Sequence, residues 1–323
     1  MTRINEPRRG LLRWTLLVFA AMLLAIPVKA AAFSTIYAFG DSLTDAGNVW
    51  KATLRTEPLS PPYSQGRFSN GPVWVQDLGV ALGINTIKPS LLGGTDYAYG
   101  GAESGPTSVH DISPLDLPAQ LVQFKANVAH PKSDALFVLW IGANDLFDML
   151  SKNLTASQTS HAISDVMRNE EAFVTAIALL GTTHLMVLTV PDLGVTPDIT
   201  SEGATAAKAA TALSAQFNET LTSRMQILAL LYGLDLTIVD TMSLIDAAVA
   251  NPAQYGFKNV TKPCWTGSFT SRDGSLCAKG MTAQDRHLFW DKIHPTAAGH
   301  SFVDTAAVKA LAHPSLLLAN AAR

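Results

Sequence analysis

The sequence predicts one α/β domain of three layers, with helices covering both faces of a parallel sheet. Three observations carry that reading. Short runs rich in Val, Ile, Leu and aromatics recur along the chain, as strands buried on both faces require. Longer segments of helical period separate them. Neither an internal repeat nor a low-complexity linker divides the chain, so strand and helix alternate within one unit.

In chain order, strands are expected at residues 35–39, 135–141, 184–190 and 236–239, with a weaker one at 96–99. Helices are expected at 73–82, 117–129 and 296–311. Another fits 158–180, where Ile163, Val166, Met167, Val174 and Ile177 share a face and Gly181 acts as a stop. Leu213, Phe217, Leu221, Leu228 and Leu231 form a stripe at helical spacing that reads as core packing. Ligands of such sheets sit beyond the carboxyl ends of the strands. Two polar segments fall there: Gly40-Asp41-Ser42 after the first strand and Gly142-Ala143-Asn144-Asp145 after the central one.

Residues 1–32 stand apart from the fold. Arg3, Arg8, Arg9 and Arg13 precede an apolar run at 16–26, followed by Pro27 and Ala30-Ala31-Ala32. That is the order of a secretory signal peptide, cut after Ala30 or Ala32. The run falls well short of the roughly 20 residues that span a bilayer, an uncleaved anchor being the alternative. Residues 33–323 then form a single domain, placed in the periplasm or outside the cell. The leader carries five cations and one anion, so its removal takes the formal charge from −3 to −7. An acidic chain without basic clusters argues against nucleic acid as a partner. With 48% hydrophobic and 15% charged residues it has the material for a large core.

Both cysteines, Cys264 and Cys277, fall in one polar, turn-rich stretch. Export favours a disulfide between them; two free thiols are the alternative. They have no partners at zinc-ligand spacing. Gly100-Gly101 lacks the downstream glycine and acid of a nucleotide fingerprint. No metal or cofactor is expected.

Ser42 stands in a strand-to-helix turn, where its own N–H can face an anion and where a helix-capping role is the plain alternative. A serine hydroxyl becomes a nucleophile when a histidine takes its proton and a carboxylate orients that histidine. Asp291 and His294, three apart in one turn, present such a pair on one face, or else a capping aspartate beside a surface histidine. An oxyanion needs preorganised donors. Asn144 offers a side-chain amide and Gly101 an unobstructed backbone N–H, although either also suits a plain turn. The absence of Gly-x-Ser-x-Gly disfavours the common α/β-hydrolase elbow.

In combination the segments are more specific. Phe39-Gly40-Asp41-Ser42-Leu43-Thr44-Asp45, the run at 97–102, Gly142-Ala143-Asn144-Asp145 and Asp291-Lys292-Ile293-His294-Pro295 resemble, in order, the four blocks of the GDSL, or SGNH, hydrolases. The segments at 66–71 and 190–194 resemble further stretches of that family. The resemblance implies a flavodoxin-like sheet (the SGNH hydrolase fold), with Ser42 as nucleophile, His294 as general base and Asp291 as its orienting partner. It also implies an oxyanion hole of the Ser42 N–H, the Gly101 N–H and the Asn144 side chain, with Gly100 the alternative to Gly101. A secreted ester hydrolase working through an acyl-enzyme follows. The Cys264–Cys277 loop just before Asp291 resembles bacterial phospholipase, lysophospholipase and haemolysin-like members. The partner is therefore a small-molecule ester or lipid, met in transient contact with a membrane surface. Tyr63, Phe147, Trp265 and Phe289 are candidates to line an acyl groove. The alternatives are a short-chain esterase of choline or sugar acetates, and a non-catalytic flavodoxin-like binding module.

Overall fold

The computed structural model describes residues 33–84, 87–110 and 113–312; the candidate signal peptide at 1–32 lies outside them. Four strands, β1 (Ile36–Gly40), β2 (Leu136–Trp140), β3 (His184–Leu188) and β4 (Asp235–Val239), form one parallel sheet in the order β1-β2-β3-β4. Among the described residues ten α-helices accompany it: α1 (Asn48–Ala52), α2 (Trp74–Ala81), α3 (Leu117–Asn127), α4 (Ala143–Ser151), α5 (Ala156–Ala178), α6 (Pro197–Ser201), α7 (Ala204–Tyr232), α8 (Thr241–Ala250), α9 (Met281–Gln284) and α10 (Ala297–Ala312).

The period-two alternation of the strands builds two separate cores. Tyr37, Phe39, Phe137, Leu139, Leu185 and Val187 face α3, α5 and α7. Ile36, Ala38, Leu136, Val138, Trp140 and Met186 face α2 and α10. This is the three-layer α/β/α arrangement that alternating strands and helices imply. Phe39 anchors the first core, its ring centroid 4.8 Å from Phe173 and 5.4 Å from both Tyr97 and Phe124. In α7 the stripe is buried from Leu213 to Leu228, but Leu231, in the last turn, is exposed. Gly233, at φ +65°, ends the helix there.

The weak strand expected at 96–99 is an extended segment without a regular ladder. It runs along the free edge of β1, where the Ala38 N–H donates to Thr95 O (3.0 Å) and the Tyr97 N–H to Ala38 O (2.7 Å). The Tyr99 N–H donates to Gly40 O (3.1 Å). The chain thus moves outward from β1, then returns past it to β2. That reversal opens a crevice between the carboxyl ends of β1 and β2, the usual ligand position in open α/β sheets.

Gly40 closes β1 in a conformation that L residues rarely adopt, at φ +148°. A Cβ there would stand 2.1 Å from the Trp140 carbonyl oxygen, so only glycine lets β1 and β2 stay paired at the crevice.

Cys264 and Cys277 form a disulfide. It closes a small antiparallel loop in which the Cys277 N–H donates to Cys264 O (2.6 Å) and the Thr266 N–H to Ser275 O (3.1 Å). The base of that loop pairs with the segment leading to Asp291: the Cys264 N–H donates to Phe289 O (3.1 Å) and the Trp265 N–H to Trp290 O (2.6 Å). Reducing the disulfide, or replacing both cysteines by serine, is expected to cost about 3 kcal/mol of stability by loop-closure entropy. Thermal or urea unfolding with and without dithiothreitol measures it; an unchanged midpoint would show that the link contributes nothing.

Candidate active site

The turn after β1 is shaped by Asp41. Its carbonyl accepts the N–H groups of Thr44 and Asp45, both at 3.0 Å, and its Oδ1 accepts the Leu43 N–H at 2.9 Å. Ser42 sits at the crest of this turn, six residues before α1, and does not cap a helix. Its N–H meets no acceptor among the described residues.

The far end of the chain folds back onto this crest. His294 Nε2 lies 2.8 Å from Ser42 Oγ, and His294 Nδ1 lies 2.8 Å from Asp291 Oδ2. The structure therefore brings Ser42, His294 and Asp291 together in one hydrogen-bonded chain, all three at most 8% exposed. Asp291 does not cap α10: Thr296 does, its Oγ1 accepting the Gly299 N–H at 3.2 Å. Instead Asp291 Oδ1 accepts the N–H groups of Ile293 (2.9 Å) and His294 (2.8 Å), and its Oδ2 accepts the Tyr63 hydroxyl (2.6 Å). Burial alone would raise this carboxyl. The His294 charge and the hydrogen bonds from His294 and Tyr63 outweigh it and hold Asp291 below the ordinary carboxylate range.

Asn144 lies in the first turn of α4, beyond β2, and lines the same cavity as Ser42 and His294. Its Nδ2 donates to Ala102 O at 2.8 Å, which ties it to the 100–102 loop and uses one of its two amide hydrogens. In that loop the Gly100 N–H is occupied by Asp45 Oδ2 at 3.0 Å. The Gly101 N–H has no acceptor among the described residues, and at φ +81° Gly101 faces open space. Of the two glycines, Gly101 is the one with a donor to offer.

Two residues that hold these groups, Gln120 and Asn48, carry no local sequence signal. Gln120 reaches across from α3 to clasp the Gly40 peptide, accepting its N–H (3.0 Å) and donating to its carbonyl (2.8 Å). Asn48 donates to Asp96 O (2.8 Å) and Ala98 O (2.9 Å), and Asp96 in turn accepts the Ala46 N–H (2.6 Å). Asp145 accepts the Ser104 hydroxyl at 2.7 Å, bracing the far side of the loop. Of the four aromatics expected along a groove, Phe147 and Phe289 line the cavity at Ser42. Trp265 and Tyr63 do not: both are buried in a small cluster with Cys264 and Trp290.

Known proteins of similar sequence define the family. The profile of the family described as GDSL-like Lipase/Acylhydrolase matches residues 36–305. The phosphatidylcholine-sterol acyltransferase of Aeromonas hydrophila is 30% identical over 86% of this chain and 91% of its own length. A GDSL esterase/lipase of Arabidopsis thaliana is 27% identical over 85% of this chain and 86% of its own. The thermolabile hemolysin of Vibrio parahaemolyticus is 23% identical over 83% of this chain and 61% of its own. The chain belongs to the GDSL-like lipase/acylhydrolase family and is an ester hydrolase of that family.

Asp41 contributes a testable electrostatic cost. Its Oδ2 is buried and has no hydrogen-bond partner among the described residues. Burial pushes the carboxyl from 3.8 up to about 7, against the Leu43 N–H and the His294 charge, which lower it. The folded chain therefore holds a proton that the unfolded chain releases, and stability falls as pH rises from about 4 to about 7. Asp41→Asn, which keeps the acceptor for Leu43, is expected to raise the melting temperature more at pH 8 than at pH 4. An equal shift at both values would refute the assignment.

Proposed function

We propose that the chain hydrolyses carboxylic esters of lipids or lysophospholipids through an acyl-enzyme on Ser42. One observation carries the reading: the unbroken chain from Ser42 Oγ through the His294 imidazole to Asp291, both links 2.8 Å long. In the mechanism Ser42 Oγ attacks the ester carbonyl carbon while His294 Nε2 takes its proton. Asp291 keeps Nδ1 protonated and steadies the imidazolium. The oxyanion is met by the Ser42 and Gly101 N–H groups and the second amide hydrogen of Asn144. Collapse of the tetrahedral intermediate breaks the ester C–O bond, and His294 returns the proton to the departing alcohol. Water, activated by the same imidazole, then releases the acid and restores Ser42.

The lipid assignment draws on the cavity beside Ser42. It is walled chiefly by apolar side chains, among them Phe147, Leu193, Ile245, Leu288, Phe289 and Val303. An apolar recess next to a nucleophile suits an acyl chain better than a sugar. The names of the acyltransferase and hemolysin relatives point the same way. We further propose that residues 1–32 direct export and are removed. The Cys264–Cys277 link fits an oxidising compartment. Among the described residues no helix is long and apolar enough to cross a membrane.

Ser42→Ala is expected to lower kcat by at least about 1000-fold and to abolish labelling by a fluorophosphonate. Asn144→Ala is expected to lower kcat by roughly 100- to 1000-fold with little change in KM. A series of p-nitrophenyl esters assayed beside lysophosphatidylcholine should show activity rising with acyl length. Turnover confined to acetate would end the lipid reading in favour of an acetyl esterase.

A further inference from the structure

Tyr63 belongs to none of the segments that mark the site, and it stands 228 positions from Asp291. It is 1% exposed, yet its hydroxyl ends 2.6 Å from Asp291 Oδ2, the same oxygen that meets His294 Nδ1. The ring is fixed edge-on between Trp290 (6.1 Å) and Phe68 (6.4 Å), while Phe68 also lies 5.2 Å from the His294 ring. Its backbone is tethered as well: the Tyr63 N–H donates to Leu59 O (3.1 Å), and the Leu59 N–H to Phe269 O (2.9 Å) in the disulfide loop. Buried this fully, the phenol is no part of the cavity wall beside Ser42.

We propose that the Tyr63 hydroxyl is a positioning residue for the reaction, acting through Asp291. It completes a set of four donors on that carboxylate, so the plane of the carboxylate and the share of charge facing His294 are both set. Burial and the neighbouring Asp291 charge push the phenol far above its ordinary value, which keeps the hydroxyl a donor at every pH the enzyme meets. The inference rests on the acyl-enzyme reading above.

Tyr63→Phe removes the donor and keeps the ring. Without it the negative charge on Oδ2 is less shared, so the proton on the imidazole is held more tightly. The acid limb of the kcat/KM profile is expected to move to higher pH. Plateau kcat should fall about ten-fold with KM within about two-fold, the scale of one charge-assisted bond. The other ionisable groups facing the pair are left in place by the substitution. They are Asp41 after β1, His300 on α10, and Asp198, Asp273 and Lys292 along the outer cleft, Lys292 lying 3.7 Å from Asp198. Tyr63→Ala, measured in parallel with its melting temperature, separates packing from positioning. If Tyr63→Phe keeps the wild-type profile and kcat while Tyr63→Ala loses both stability and activity, the hydroxyl has no role and the inference falls. Ser42→Ala in the same assay keeps the two readings distinct: full activity in that variant overturns the acyl-enzyme and the Tyr63 role with it, whereas an inactive Ser42→Ala beside an unaltered Tyr63→Phe overturns the Tyr63 role alone.

Discussion

The buried Asp291 carboxylate is the constraint around which the rest of the site is organised. An ionised carboxylate taken out of water is costly unless donors replace its hydration. Here four do: two backbone N–H groups from its own turn, the Tyr63 hydroxyl and the His294 imidazole. Satisfying that one group obliges the 291–294 turn to close tightly and the 59–68 segment to pack beneath it. It also fixes the direction in which His294 presents Nε2 to Ser42. The disulfide loop serves the same end, since its base pairs with residues 289–290 immediately before the turn.

A second pattern is the use of buried acids as braces for backbone. Asp45 accepts the N–H groups of Gly47, Asn48, Val49 and Gly100, and Asp145 those of Ser104. Loops at the carboxyl ends of strands have no ladder to satisfy their donors, and a short carboxylate can gather several at once. Occupying the Gly100 N–H in this way leaves the neighbouring Gly101 donor free. Burial raises these acids, Asp45 and Asp145 to about 6 each, with the accepted hydrogen bonds pulling the other way. The crevice thus trades some stability for loops of fixed shape. Asp41 bears the same cost, because its Oδ2 has no hydrogen-bond partner among the described residues.

The layered fold is legible in the sequence because its cause is local. Runs such as Ile36–Gly40 and Leu136–Trp140 are apolar throughout, and a strand with helices on both faces needs nothing else to be recognised. The extended segment at 96–99 is harder to read, since its short pairing to β1 depends on Asp96 and Asn48 holding the neighbouring backbone. The site divides the same way. The residue types of Ser42, Asn144, Asp291 and His294 and their order along the chain announce a chemistry. The grips of Tyr63 and Gln120 do not, because they act across 228 and 80 positions with no periodicity to betray them.

Alone, the sequence determined the four strands of the sheet and the longest helices that cover it, but not the shorter helices α1, α4, α6, α8 and α9, and it showed which side chains have the chemical capacity to act on an ester. Only the tertiary structure decided that a hydroxyl and an imidazole 252 positions apart share a hydrogen bond, and which glycine keeps its N–H free. It also decided which aromatics wall a cavity and which merely pack. The physical reason is range. Secondary structure answers to neighbours within a few residues, whereas a buried polar group must find its partner wherever the packed sheet brings one close.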